Sequence, residues 1–251
     1  MRGIWVIFRK EMGSYFTSPI AYIMLTTYTL VVGAFFSIFL YAAIHTNPFE
    51  MHQHTVNVND VIQNLLGWSG VVSIFFVPLI TMRLFSEEKR TGTMELLATS
   101  PVRDAEIILG KWLAACAFYG CLVLAGSLNL IFVIVYSHPD WKPVLVGYLG
   151  LFLLTGCVMA FGTFISSLTR NQIIAAVITF VAYVAFWLVG EFGNMGSSTL
   201  STVLSYLAIN SHFSSFIKGV VEIKDIVYYV TFTFLSLFLT DRYLESLRWR
   251  A

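Results

Sequence analysis

Residues 143–190 read PVLVGYLGLFLLTGCVMAFGTFISSLTRNQIIAAVITFVAYVAFWLVG. Arg170 is the only charged side chain in this stretch, and it divides two apolar runs, 143–169 and 171–190. A helix needs about 20 mostly apolar residues to cross the hydrocarbon of a bilayer. Backbone that enters lipid must satisfy its own hydrogen bonds, so runs of this length read as spanning helices.

Working outward, Asp, Glu, Lys and Arg are also missing from residues 12–49, 61–82, 112–139, 192–217 and 226–240. The last of these is short, but Ile223 and the stems of Lys224 and Arg242 extend it to the interfaces. The run 192–217 holds seven serines, two asparagines and two glycines, and reads as a loop. Within it Leu200, Val203, Leu204 and Leu207 recur at helical spacing, which predicts a short helix lying on the membrane or packed back into the bundle. The expected spans are 20–44, 63–83, 108–136, 144–168, 172–190 and 224–241.

Composition agrees. Of 251 residues, 57% are hydrophobic and 12% charged, whereas soluble domains are roughly half apolar and about a quarter charged. Mean hydropathy is +0.77. A net charge of +1 gives no reason to expect nucleic acid as a partner. Cys116, Cys121 and Cys157 all sit within apolar runs and read as small packing residues. The first apolar stretch is too long for the core of a cleaved signal peptide.

Basic residues set the orientation. Arg2, Arg9 and Lys10 precede span one. Arg83, Lys89, Arg90, Arg103 and Lys111 lie between or beside spans two and three. Arg170 separates spans four and five, and Arg242, Arg248 and Arg250 follow span six. Only Lys142, Lys218 and Lys224 fall on the other side. Both ends are therefore expected in the cytoplasm, with His45, His52, His54, His138 and His212 on or near the outer side.

Polar chemistry concentrates in residues 83–111, RLFSEEKRTGTMELLATSPVRDAEIILGK. Gly92 is expected to cap the start of a short helix, with Glu95 at its third position and Met94, Leu97 and Ala98 on one face. Ser100 and Pro101 read as N-cap and first residue of the helix entering span three, with Asp104 and Glu106 near its positive end. The pattern suits either a short helix hung below the membrane on two levers or a solvated mixed-charge connector. Upstream, Trp5, Phe8, Met12 and Tyr15 share a helical face beside Arg2, Arg9 and Lys10. That predicts an interfacial amphipathic helix over 2–17, turned into span one at Ser18–Pro19.

Catalytic signatures are missing. Gly110–Lys111 is followed by Trp112, and Ala105 stands where a phosphate-binding loop has its first glycine. His52 and His54 lack a third metal ligand nearby. Gly156/Ala160 and Gly162/Ser166 have the spacing that lets helices approach closely, within one bundle or between two copies. No ionisable group need sit at mid-depth, which argues against an ion-coupled carrier or a membrane-embedded enzyme.

The stretch Glu87-Glu88-Lys89-Arg90-Thr91-Gly92-Thr93-Met94-Glu95-Leu96-Leu97, with Thr99-Ser100-Pro101-Val102 and Ile108 through Lys111 after it, resembles the permease subunits of type-2 ABC exporters. So does the opening, Arg9-Lys10-Glu11 and Tyr15-Phe16-Thr17-Ser18-Pro19-Ile20-Ala21-Tyr22. Length and layout are most similar to the permease associated with bacterial gliding motility. The resemblance implies an all-α bundle of six transmembrane helices in the bacterial inner membrane, acting in ATP-driven export. It implies a coupling loop over 84–107 whose helix docks on a separate cytoplasmic ABC ATPase through Glu87, Glu88, Arg90, Gly92, Thr93, Glu95 and Leu96. Trp5, Phe8, Arg9, Lys10 and Glu11 would belong to the interfacial connecting helix, and 191–223 would be an outer re-entrant segment. ATP and Mg would be bound by the partner, leaving this chain without a cofactor or catalytic residue. A second permease copy or relative, membrane lipids and a subunit with a large extracytoplasmic domain are the other implied partners. The alternative is a membrane anchor or scaffold of a secretion or motility machine that transports nothing.

Overall fold

A computed structural model describes residues 2–44, 58–94, 102–136, 140–194, 203 and 206–248. Among these the chain is helical, without strands. The helices are α1 (Arg2–Thr17), α2 (Pro19–Ile44), α3 (Val58–Thr81), α4 (Ser86–Thr91), α5 (Asp104–Gly126), α6 (Asn129–Tyr136), α7 (Trp141–Leu168), α8 (Gln172–Asn194), α9 (Ile209–Ile217) and α10 (Ile223–Arg248). Six stretches are long and apolar enough to cross a membrane: Pro19–Ala43, Asn59–Thr91, Asp104–Ile131, Trp141–Leu168, Gln172–Gly190 and Ile223–Ser246.

Spans two, three and four form the centre. Between 61% and 67% of their most apolar windows is buried, against 22% for spans one, five and six, which wrap the outside. In lipid the surroundings are as apolar as the side chains, so helices are held by close packing and interhelical hydrogen bonds rather than by expulsion of water. Both are present. A side chain at Gly162 would come within 2.4 Å of Thr81 Oγ1, so α7 lies against α3 only because that position is bare. Gly162 thus serves packing within the chain. Trp112 Nε1 donates to the Gly156 carbonyl at 2.9 Å, joining α5 to α7. Tyr183 and Ser73 hydroxyls meet at 2.7 Å between α8 and α3.

Two details correct the sequence reading. Span three is not one helix over 108–136. It stops at Gly126 and restarts at Asn129. The Asn129 amide donates to the Gly126 carbonyl at 3.0 Å, competing with the backbone donors that would continue the helix. The helix entering this span starts at Asp104, with Arg103 as its extended cap, rather than at Ser100–Pro101. Ser100 and Pro101 lie outside the described residues. Asp104 and Glu106 do occupy the first turn. Gly92 ends the short helix Ser86–Thr91, and the helix expected after it, over Glu95, Leu97 and Ala98, lies outside the described residues. Val203, Tyr206 and Leu207 of the segment before span six are helical, and a second helix, Ile209–Ile217, packs back onto α7, α8 and α3. Val203 and Leu207 are exposed, and Leu200 and Leu204 fall outside the described residues.

Candidate functional site

The second span does not end at Thr81. Pro78 sits inside the last turns of α3, where a missing N–H weakens the helical ladder, and residues 82–85 turn the chain into α4. α4 has four charges in succession, Glu87-Glu88-Lys89-Arg90, with the acidic pair in its first turn and the basic pair in its last, as the helix dipole favours. It stops where Gly92 adopts φ 74°, a left-handed conformation that costs glycine nothing.

Its N-terminus is capped from a distance. Phe85 occupies the cap position and offers no side-chain acceptor. The hydroxyl of Ser166, at the end of α7, accepts from the backbone N–H of Phe85 at 3.1 Å and of Ser86 at 3.2 Å, and donates to the Met82 carbonyl at 3.0 Å. One serine of span four thus satisfies donors and an acceptor freed by the turn between α3 and α4.

The inward face of α4 is tied to four other helices, three directly and α1 through a shared ammonium. Glu88 Oε1 lies 2.9 Å from Lys111 Nζ on α5, and the same ammonium lies 2.7 Å from Glu11 Oε1 on α1. Lys111 is 2% exposed, with the Phe85 ring 5.3 Å away. Two carboxylates share one ammonium, so the cluster carries excess negative charge, and Glu88 Oε2 is buried without a hydrogen-bond partner among the described residues. Lys89 donates to the Ser167 carbonyl of α7 and to Tyr243 Oη of α10 at 3.4 Å, lying over the Tyr243 ring.

α1 closes the arrangement. It reaches α5 because Gly110 leaves room, since a Cβ there would stand 2.9 Å from Ile7 Cβ and 3.0 Å from the Ile4 carbonyl. Tyr15 stacks on Phe118 of α5 at 4.6 Å, donates to the Ile80 carbonyl of α3 at 3.3 Å and lies under Arg83 at 4.6 Å. Burial pushes its phenol well above the ordinary range, against the pull of Arg83, so it stays a neutral donor.

The predicted site residues therefore divide. Glu87, Arg90, Gly92 and Thr93 are exposed, with Thr93 Oγ1 3.0 Å from Thr91 Oγ1. Glu88 turns inward to Lys111 and shares the less exposed side of α4 with Lys89. Glu95 and Leu96 lie outside the described residues. Along α1, Arg9, Lys10 and Trp5 are exposed, Phe8 packs against the core and Glu11 reaches Lys111. Lys111, Ser166 and Tyr243 were not assigned these roles from sequence. Lys111 had stood out only as a basic flank and a failed phosphate-loop lysine.

At the opposite end a second polar cluster joins α9 to α10. His212 Nδ1 is 2.6 Å from Asp225 Oδ1, and His212 Nε2 is 2.9 Å from the Tyr206 carbonyl. The imidazole stacks on Tyr228 at 4.1 Å, and Asp225 is fully buried. Tyr229 Oη donates to the Ile209 carbonyl at 2.9 Å beside it.

Comparison with curated proteins found no match. The family model described as ABC-2 family transporter protein matches residues 5–240, from α1 through the last span. The chain belongs to the ABC-2 transporter family.

Proposed function

We propose that α4 and the residues after it are the surface on which a separate cytoplasmic ABC ATPase docks, and that this chain couples ATP hydrolysis to export. Family membership makes the chain a multi-pass permease component of an ABC transporter. The observation that carries the finer reading is the two-sidedness of α4. Glu87 and Arg90 point outward, while Glu88, Lys89 and the Ser166 cap fasten the other side to α1, α5, α7 and α10. A push on the exposed side is passed to four helices through short polar contacts rather than dissipated in a loose loop.

In this reading both termini are cytoplasmic, the membrane is the bacterial inner membrane, and ATP and Mg reside in the partner. A second permease copy covers part of the outer faces of spans one, five and six. The likeness of residues 87–97 and the six-span layout support a gliding-motility-type assembly with a third, extracytoplasmic subunit.

Purification of the tagged chain from its native membrane, with mass spectrometry of what accompanies it, tests the pairing. An ATPase with a phosphate-binding loop in equal amount is expected, and its absence would favour the scaffold. Glu87→Arg with Glu95→Arg is expected to abolish stimulation of that ATPase while the chain still inserts. Unchanged stimulation would sink the coupling role. For orientation, Thr93→Cys should be protected from an impermeant thiol reagent in cells whose outer membrane is permeabilised, and Ser197→Cys should react.

A further inference from the structure

Two apolar cavities of about 530 and 470 Å³ adjoin, with Cys116 and Phe152 in the walls of both, and together make a groove. One lies under α1 at Trp5 and Phe8, beside Leu113 of α5 and Phe152 of α7. The other lies between α5, α7 and α10, at Val230 and Phe234. No charged side chain lines the groove. Its flanks stay uncovered: Trp5 is 64% exposed and Phe234 70%.

Among the described residues, two exposed cations flank the end at α1. Arg9 lies one helical turn beyond Trp5 on the same edge of α1, with Lys10 next to it. Both are exposed, and neither forms an ion pair with a described residue. A long apolar slot with an indole and two free cations at a single end complements a molecule with a hydrocarbon tail and an anionic head. A second copy of the chain fits less well. A two-fold axis along the membrane normal would bring Arg9 and Lys10 of both copies to the same depth, where like charges repel.

We propose that this groove binds an acyl chain of an anionic glycerophospholipid, with Arg9 and Lys10 at its phosphate. Phe8 is one turn from Glu11, and Leu113 is two residues from Lys111, so the lipid tail braces α1 against α5 beside the polar cluster that holds α4. The inference rests on the groove and its rim, not on any reading of transport.

The test uses the full chain in nanodiscs of phosphatidylcholine. These are doped either with phosphatidylglycerol or with phosphatidylcholine carrying a photoreactive group in the acyl chain, and the adducts are mapped by mass spectrometry. The phosphatidylglycerol probe is expected to label peptides containing Phe8, Cys116 and Phe152 preferentially. Arg9→Glu with Lys10→Glu should cut that labelling about five-fold or more, given roughly 1 kcal/mol per interfacial cation, and leave the phosphatidylcholine signal unchanged. Ala117→Trp, which fills the groove, should reduce labelling by both probes. Equal labelling by the two probes, or labelling indifferent to the double charge reversal, would overturn the proposal. So would Cys116 cross-linking to Cys116 of another copy with no lipid adduct.

Discussion

Glu88 and Lys111 meet 2.9 Å apart, one on the short helix after span two and the other on span three. The contact fixes α4 relative to the bundle at its centre rather than at its ends. Because Lys111 also holds Glu11, α1 and α4 are tied through a single side chain.

Lys111→Met should cost about 3–5 kcal/mol, because it leaves two carboxylates facing each other in a site that excludes water. Thermal unfolding in detergent, followed by size-exclusion recovery, measures the loss. Adding Glu11→Gln and Glu88→Gln should recover most of it, since the remaining groups are neutral. A melting temperature unaffected by Lys111→Met would mean that the carboxylates reach solvent unaided.

Ser166→Ala removes the remote cap and is expected to cost about 1–2 kcal/mol, as cap losses do. The change should be local, with amide exchange at Phe85 and Ser86 accelerating. Ser167→Ala should leave Lys89 in place, because Ser167 contacts it through the backbone carbonyl. Equal effects of the two substitutions would refute the assignment.

Gly92→Ala places a Cβ in a left-handed conformation at a cost of roughly 1–2 kcal/mol. A Cβ there meets no neighbour within 4 Å, so the penalty is purely conformational. Partner-dependent activity should fall further than stability if the direction in which the chain leaves α4 matters. Parallel losses would show that it does not.

Asp225→Ala strips His212 Nδ1 of its acceptor and should weaken the hold of α9 on α10 by about 1–3 kcal/mol. Hydrogen exchange over residues 209–217 should rise, while exchange in α4 stays unchanged. Asp225→Asn keeps an acceptor oxygen and should be milder.

The bundle was legible because hydropathy over twenty residues is a coarse signal that lipid enforces strongly. α1 was legible for a similar reason, since its rings repeat with the helical period. The orientation of α4 was not. Four consecutive charges contain no apolar residue to mark an inward face, so Glu87 and Glu88 looked alike. Their difference is set by residues far along the chain. Lys111 is 100 positions from Glu11, and Ser166 is 81 from Phe85. His212 and Asp225 were hidden for another reason. One lay in a serine-rich stretch that reads as a loop, and the other looked like a charge bounding span six.

The 80 positions that separate Ser86 from Ser166 also order events during synthesis. When α4 leaves the ribosome, span four has yet to be made, and the hydroxyl that completes its first turn does not exist. A nascent chain halted before Ser166 carries the charges of α4 on an unfinished helix. Arrival of span four closes that turn, so α4 gains its cap only when two-thirds of the chain has been made.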